Sequence, residues 1–336
     1  MSRFSELFVS LIIMFEVIKT YFSRFYISQK FYFLFFIFLS TKCFSFNIQE
    51  VANGVYVHYG VQEESNPENK GDIANIGFIV GKKSIMVIDT GGTQIIGKKL
   101  LKEIRKFSQL PISHIVITHS HPDHFFGTEA FLNEKAKIVG HEKLNRSLIN
   151  NFTFYKNLQY TNIGLETIKD LKLVKADLLV DVNKEEVIDL GGRLVEIKAW
   201  NSGHTDNDLS VFDLNTKTFW SENIFVERTP SIRASILGWR KNLLDIMAMD
   251  INLIVPGHGK AINKIEAIKP MISYFNRLIT QIRSFHVDNK SLQESINSIL
   301  QKEIINPSNV NKESWILFTE YHYTNITKAF TELEWE

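Results

Sequence analysis

Four side chains that commonly bind metal ions lie within the hexapeptide His119-Ser120-His121-Pro122-Asp123-His124. Imidazole nitrogens and carboxylate oxygens together suit a first-row divalent ion that polarises water. In an extended segment His119, His121 and Asp123 would share one face. A turn that begins at Pro122 would then direct Asp123 and His124 toward a second ion. The spacing therefore predicts metal binding, and a solvated polar loop is the structural alternative.

Further polar side chains come at the ends of other predicted strands. His204 and His258 each follow a glycine just beyond an apolar, strand-like run, and Asp89 ends another such run. Glu222 follows the predicted strand that ends at Trp220. Glycine lets the backbone bend sharply at such points, and loops at strand ends carry binding residues. We therefore expect these side chains to meet the first motif in one pocket.

The order of these elements resembles that of metallo-β-lactamase-fold hydrolases. An Asp-Thr-Gly turn at 89–91 is followed by the His-x-His-x-Asp-His loop, a Gly-His, a carboxylate and a second Gly-His. The resemblance covers about Val51 to Phe285. It implies an α/β fold, the four-layer αββα sandwich of two facing sheets with helices outside, followed here by a C-terminal helical extension. Such a resemblance is specific for fold and says little about substrate.

A closer resemblance is to the SoxH-like branch, the quinoprotein relay system zinc metallohydrolases. It rests on the matching stretches 204–209, 225–231, 238–239 and 322–334. That branch is associated with gene neighbourhoods of pyrroloquinoline-quinone dehydrogenases, and its substrate is undefined. The resemblance implies a small-molecule substrate and a periplasmic dehydrogenase system as a partner.

The family implies a site for two zinc ions. The matching positions are His119, His121 and His204 for the first ion, and Asp123, His124 and His258 for the second. Glu222 departs from the pattern, because the family has an aspartate there that bridges both ions. Glutamate adds one carbon–carbon bond of about 1.5 Å, whereas metal–ligand distances tolerate only about ±0.2 Å. We therefore predict that Glu222 still binds metal but that the second ion is held more weakly.

Hydrolysis is the chemistry that this ligand set favours. A divalent ion lowers the pKa of bound water to about 7, so the predicted reaction is attack of hydroxide on a small ester, lactone, thioester or lactam carbonyl. Asp123 would carry the proton. Asp89 would lie behind the metal ligands and fix the orientation of a histidine or the backbone of the loop. Alternatively, it would cap its own turn at 90–91.

Two other functions remain open at the level of sequence. The same ligands can hold iron or manganese, so an iron-dependent redox enzyme resembling persulfide dioxygenases is one alternative. A metal-stabilised accessory protein without catalysis is the other. Nucleic acid is disfavoured as a partner, because 38 basic and 37 acidic residues give a net charge of only +1 and leave no basic footprint.

The first 45 residues resemble an export signal. A short apolar run at 31–39 follows Lys30, and Cys43 and Ser45 offer small residues for cleavage. An earlier apolar run at 7–15 leaves an uncleaved membrane anchor open. We expect a periplasmic protein with three parts: a targeting segment at 1–45, the metallo-β-lactamase-like domain at 46–286 and the C-terminal extension at 287–336.

Several residues outside the motifs have simpler interpretations. His141 is expected to start a helix or line a wall. Glu227 and Arg228 are expected to form an ion pair with each other, with a substrate contact as the alternative. The tryptophans are expected in the core or the pocket wall, namely Trp200, Trp220 and Trp239.

Overall fold

The computed structural model describes residues 46–305 and 315–336. The predicted targeting segment, including Cys43, lies outside the described residues. Within them, two β-sheets face each other and helices cover their outer faces. The predicted αββα sandwich with C-terminal helices is therefore confirmed.

The first sheet has seven strands in sequence order. They are β1 Gln49–Ala52, β2 Val55–His58, β3 Ile76–Val80, β4 Ile85–Ile88, β5 Ile112–Val116, β6 Lys137–His141 and β7 Leu178–Val180. The strands from β1 to β4 pair antiparallel, and those from β4 to β7 pair parallel. Parallel neighbours need long crossovers, and these crossovers carry the helices and the His-x-His-x-Asp-His loop.

The second sheet has five strands in the order β12-β11-β10-β9-β8. They are β8 Glu185–Asp189, β9 Leu194–Ala199, β10 Leu209–Asp213, β11 Thr218–Phe225 and β12 Leu253–His258. Consecutive strands pair antiparallel up to β11, and β12 joins β11 in parallel after a helical crossover. The second half of the chain therefore repeats the first in outline.

Eight α-helices and one 3-10 helix complete the described residues. They are α1 Gln94–Phe107, α2 Pro122–Phe125, the 3-10 helix Thr128–Glu134, α3 Leu144–Ile163, α4 Leu165–Ile168, α5 Ile236–Ala248, α6 Lys264–Val287, α7 Leu292–Ile305 and α8 Phe318–Leu333. Helix α5 begins after the N-cap Ser235, whose side chain accepts from the Gly238 amide.

The packing follows the layers. Between the sheets, inward side chains of both form one apolar cluster that includes Val57, Met86 and Ile197. A second cluster joins the outer face of the first sheet to α1, and a third joins the second sheet to α5, α6 and α8. The C-terminal helix α8 thus shares the core of the second half. None of the helices in the described ranges has the length and apolar character needed to cross a bilayer.

A buried ion pair between Arg193 and Asp213 links the two sheets. The Arg193 guanidinium donates two hydrogen bonds of 2.8 Å to the Asp213 carboxylate. It also donates to the Val80 and Asn53 carbonyls of the first sheet, each at 2.9 Å. Arg193 is only 8% exposed, so its charge depends on these acceptors in place of water.

We predict that Arg193→Ala lowers the free energy of unfolding by about 3–5 kcal/mol, because the variant leaves the Asp213 carboxylate buried without its partner. Burial opposes ionisation of Asp213, but the Arg193 hydrogen bonds hold its pKa below the usual value. That stabilisation is present above the ordinary aspartate pKa and is lost as pH falls. Denaturant unfolding at several pH values should therefore show that the free energies of unfolding of wild type and Arg193→Ala become more similar in acid.

The matched control is Lys241→Ala, which breaks an exposed pair with Asp245. It should cost less than about 1 kcal/mol. An equally small cost for Arg193→Ala would contradict a structural role for the buried pair.

Candidate metal centre

Chain segments from both sheets deliver the predicted site residues to one place. The segment after β5 carries His119 and His121, and α2 begins directly afterwards with Pro122 as its first residue. His204 lies in the loop after β9, and His258 ends β12. The turn predicted at Pro122 is present, and the histidines lie together although they are far apart in sequence.

Three imidazoles form the first group. His121 Nδ1 lies 2.8 Å from His119 Nε2 and 3.0 Å from His204 Nε2. One ring nitrogen carries either a proton or a lone pair, so Nδ1 can satisfy only one of its two neighbours by hydrogen bonding. Burial lowers the pKa of His121 to about 3. The group therefore consists of neutral imidazoles whose nitrogens converge, as ligands around a cation do.

Hydrogen bonds on the far side of the rings fix their orientation. His204 Nδ1 lies 2.8 Å from the Ser231 carbonyl, and His258 Nδ1 lies 2.9 Å from the Ile73 carbonyl. A carbonyl can only accept, so Nδ1 carries the proton and the Nε2 lone pair points into the site. These supporting groups are backbone atoms and could not be found from residue types.

Asp123, His124 and His258 form the second group. Asp123 Oδ2 lies 3.3 Å from His124 Nε2 and 3.6 Å from His258 Nε2. Burial acts to raise the pKa of Asp123, but the neighbouring histidines hold it well below its usual value. The carboxylate is thus ionised among nitrogen donors, a second set of potential ligands beside the first.

Asp89 lies directly behind this group. Its carboxylate accepts from the Thr118 amide at 2.9 Å, from the Thr118 hydroxyl at 2.7 Å and from His124 Nδ1 at 2.9 Å. The residue is fully buried and has a left-handed backbone with φ of +54°. Asp89 therefore orients His124 and anchors the start of the His-x-His-x-Asp-His loop, the first of its two predicted roles.

Glu222 lies on the opposite side of His124 from Asp123. Its Oε2 is 3.2 Å from His124 Nδ1, whose proton is directed to Asp89. Oε1 accepts from the Trp220 indole at 2.7 Å, and Oε2 has no hydrogen-bond partner among the described residues. Glu222 is also inside β11, not beyond its end. The structure thus groups it with Asp89 and His124 and does not turn it toward Asp123 and His258.

Charge around His124 is unusually dense. Although burial acts to lower it, the three surrounding carboxylates raise the pKa of His124 well above its usual value. Burial raises the pKa of Glu222 as well, which the positive charge of His124 only partly opposes. The donors and the orphaned Glu222 oxygen fit a cation: added positive charge would offset the cost of burying these carboxylates.

A cavity of about 290 Å³ opens onto both groups. His121, Asp123, His204 and His258 are part of its lining. Further walls come from α3, from the loop at 64–65 and from α8. The volume lies near the lower end of the range of about 300–1,000 Å³ usual for small-molecule pockets. The arrangement is therefore suited to a small molecule that reaches both groups at once.

Residues outside the motifs complete the surroundings. Arg228 pairs with Glu64 and not with Glu227, so the expected Glu227–Arg228 ion pair is wrong. His141 is fully buried; its Nε2 lies 3.1 Å from the Trp200 carbonyl, and its other nitrogen accepts from the amide of Lys143, the N-cap of α3. It does not line the cavity. The three tryptophans are buried as expected. Other lining residues went unnoticed in the sequence, namely Tyr155, Arg233 and Tyr321.

The family model described as "Metallo-beta-lactamase superfamily" matches residues 69–258. Over 58 residues the chain is 41% identical to the linear primary-alkylsulfatase of Pseudomonas sp. (strain ATCC 19151). That stretch is 17% of this chain and 11% of the alkylsulfatase, so the likeness covers a small part of either protein.

Solved structures show the same architecture. A metallo-beta-lactamase from Pontibacter korlensis has a TM-score of 0.55 at 16% identity, with 69% of this chain and 99% of that chain covered. The stereoselective inverting sec-alkylsulfatase Pisa1 from Pseudomonas sp. has a TM-score of 0.57 at 16% identity, with 75% and 45% covered. Likenesses at this identity establish the fold.

We predict that Asp89→Asn lowers metal affinity about 10- to 100-fold, the usual effect of losing a residue that orients a ligand. Asparagine tolerates the left-handed backbone, so the change removes charge while retaining the turn. Competition with a chromogenic chelator measures the affinity. Asp177→Asn, on the far end of the first sheet, is the control, and equal affinities for both variants would contradict the role of Asp89.

Glu222 yields a separate prediction. With Glu222 turned away from Asp123, we expect wild-type protein to lose its second ion first as chelator is added, leaving about one ion per chain. Glu222→Asp restores the family residue and should retain two ions. Mass-spectrometric metal analysis after dialysis measures both. Glu196→Asp on β9 is the matched control, and two tightly retained ions in wild type would refute the predicted weakness.

Proposed function

The chain belongs to the metallo-beta-lactamase superfamily and has the fold of its hydrolases, and we propose that it is a metal-dependent hydrolase of small molecules. Its proposed substrates carry an ester, lactone, thioester or lactam carbonyl. The observation that carries this proposal is the convergence of the groups His119-His121-His204 and Asp123-His124-His258 in one cavity.

The proposed first ion is held by His119, His121 and His204, and the second by Asp123, His124 and His258. Zinc is the expected metal, because tetrahedral nitrogen and oxygen sets are typical of it. Divalent ions bound there would polarise a carbonyl and lower the pKa of water to about 7. In the present arrangement Glu222 supports His124, and its role as a bridging ligand stays a prediction.

The protein's own groups supply the remaining steps. Asp123 borders the cavity with an ionised carboxylate that can take a proton from water and return it to the leaving group. The buried Asp89 and the carbonyls behind the rings keep the imidazoles oriented without reorganisation during the reaction. Tyr155 packs edge-on against His121, with ring centroids 6.0 Å apart, and shields that side of the site from solvent.

Sulfate-ester hydrolysis is a second candidate. It is favoured by the 41% identical stretch shared with an alkylsulfatase and by the exposed Arg233 in the cavity wall. Guanidinium groups bind sulfate oxygens through paired, charge-assisted hydrogen bonds. The substrate would then carry its charge at the bond that is cleaved.

The finer assignments remain part of the proposal. Membership of the SoxH-like branch and a periplasmic dehydrogenase partner rest on the matching stretches 204–209, 225–231, 238–239 and 322–334. Export rests on the composition of residues 1–45. An iron-dependent redox reaction is the alternative on the same ligands, and an accessory protein without catalysis is the other. Elemental analysis of protein from its native cells, showing mostly zinc, would favour hydrolysis over redox chemistry.

We predict that purified zinc-loaded protein hydrolyses at least one member of a panel of ester, lactone, thioester, β-lactam and alkyl sulfate substrates. His121→Ala removes a nitrogen on which two others converge. It should reduce kcat/KM by more than about 100-fold, beyond the loss usual for residues that only support a ligand.

His114→Ala is the matched control, because it removes an imidazole on β5 that does not line the cavity. Its activity should stay near that of wild type. No turnover on the whole panel by protein with a full metal complement would count against hydrolysis and would favour the accessory role.

A further inference from the structure

Two cationic side chains line the cavity within the described part of the chain, Arg228 and Arg233. The proposed hydrolysis of a carbonyl substrate assigns no role to either of them. They differ sharply in burial and in their partners, and this difference indicates what the cavity binds.

Arg228 is neutralised by the protein itself. It is 5% exposed, and its guanidinium lies 2.6 Å from a Glu64 carboxylate oxygen. It also donates to the Glu63 carbonyl and to the Tyr321 hydroxyl. These contacts join the 63–64 loop to α8, so Arg228 holds the cavity wall together and has little charge to offer a ligand.

Arg233 carries its charge without a carboxylate. Its side chain is exposed, and among the described residues no acidic group lies within ion-pair distance of it. The guanidinium is 6.0 Å from the centre of the Tyr321 ring. Its backbone amide donates to the His204 carbonyl at 3.1 Å. The backbone of Arg233 is therefore tied to a residue of the first histidine group, and its side chain lines the cavity.

The opposite character comes from α3. Phe154 and Leu158 line the same cavity and are 63% and 40% exposed. They lie four residues apart and hence on one face of the helix. Large apolar side chains that are exposed at a pocket mark a surface that a ligand can cover. The cavity thus presents one guanidinium group without a carboxylate partner, that of Arg233, and one apolar wall.

We propose that the cavity takes a substrate with an anionic carboxylate or sulfate group and an apolar chain, and that Arg233 is the residue that selects for the anion. This rests on the proposed hydrolase function and specifies its substrate class. A guanidinium pairs with two oxygens of either oxyanion. The apolar chain gains free energy by covering Phe154 and Leu158.

The first test compares turnover of three esters of equal chain length: one neutral, one with a terminal carboxylate, and an alkyl sulfate. In Arg233→Gln the ratio of kcat/KM for the anionic to the neutral ester should fall about tenfold or more, chiefly through KM, since charge-assisted hydrogen bonds are lost. Arg233→Lys should recover part of the ratio. Arg283→Gln, whose arginine pairs with Glu336 at the surface, is the control.

A binding measurement separates this proposal from the hydrolase function. Hexanesulfonate has no ester bond to cleave, and hexanol is its neutral match. By calorimetry, zinc-loaded wild type should bind hexanesulfonate at least tenfold more tightly than Arg233→Gln does, with equal metal content. Equal binding by the two proteins would overturn the proposal even if esters are hydrolysed. A tenfold difference would sustain it even if every ester in the panel is inert.

The three-ester comparison also identifies the source of the anion. If Arg233→Gln lowers relative kcat/KM only for the carboxylate ester, the anionic group of the substrate lies away from the cleaved bond. If the variant lowers relative kcat/KM only for the alkyl sulfate, the anionic group lies at the cleaved bond. An unchanged ratio for both in Arg233→Gln would refute selection by Arg233.

Discussion

The Asp89 carboxylate is the constraint on which the site depends. It receives three hydrogen bonds, two from Thr118 and one from His124, and thereby joins the ends of the parallel strands β4 and β5 to the loop that follows β5. A buried carboxylate is costly unless every partner is in place, so the loop can adopt few other conformations. The residue accepts a left-handed backbone to make these contacts, a strain that the surrounding structure must compensate. The histidine positions follow from this arrangement.

Much of the fold follows from patterns that act locally. Continuous apolar runs that end before Asp89 and before His119 identify β4 and β5, because such runs are visible in neighbouring residues alone. The order of the metal-binding residue types predicts the sandwich. It also predicts that His204 and His258 lie in the same pocket. Helix α5 has a local signal as well, because its buried apolar residues recur at helical spacing, namely Ile236, Trp239, Leu243 and Ile246.

The remainder could not be predicted, because it depends on direction and on backbone atoms. Residue type shows that Glu222 can bind a cation, but only the geometry shows it on the Nδ1 side of His124. The longer side chain occupies space beside Gly257, where a Cβ would lie 2.3 Å from its Oε2. Likewise, Arg228 pairs with Glu64, 164 positions away, and not with its sequence neighbour. Long-range partners of this kind leave no local pattern.

The contact of Tyr321 with Arg228 gives the end of the chain a part in the shape of the cavity. Helix α8 lies beyond residues 69–258, the part shared with the superfamily, yet its tyrosine ring borders the mouth. The segment that carries it is joined to the wall by a backbone bridge between Ile316 and Arg228. Relatives with the same metal ligands but another tail would have a differently shaped entrance. Selectivity in this lineage can therefore diverge by exchange of a terminal segment while the reaction centre stays constant.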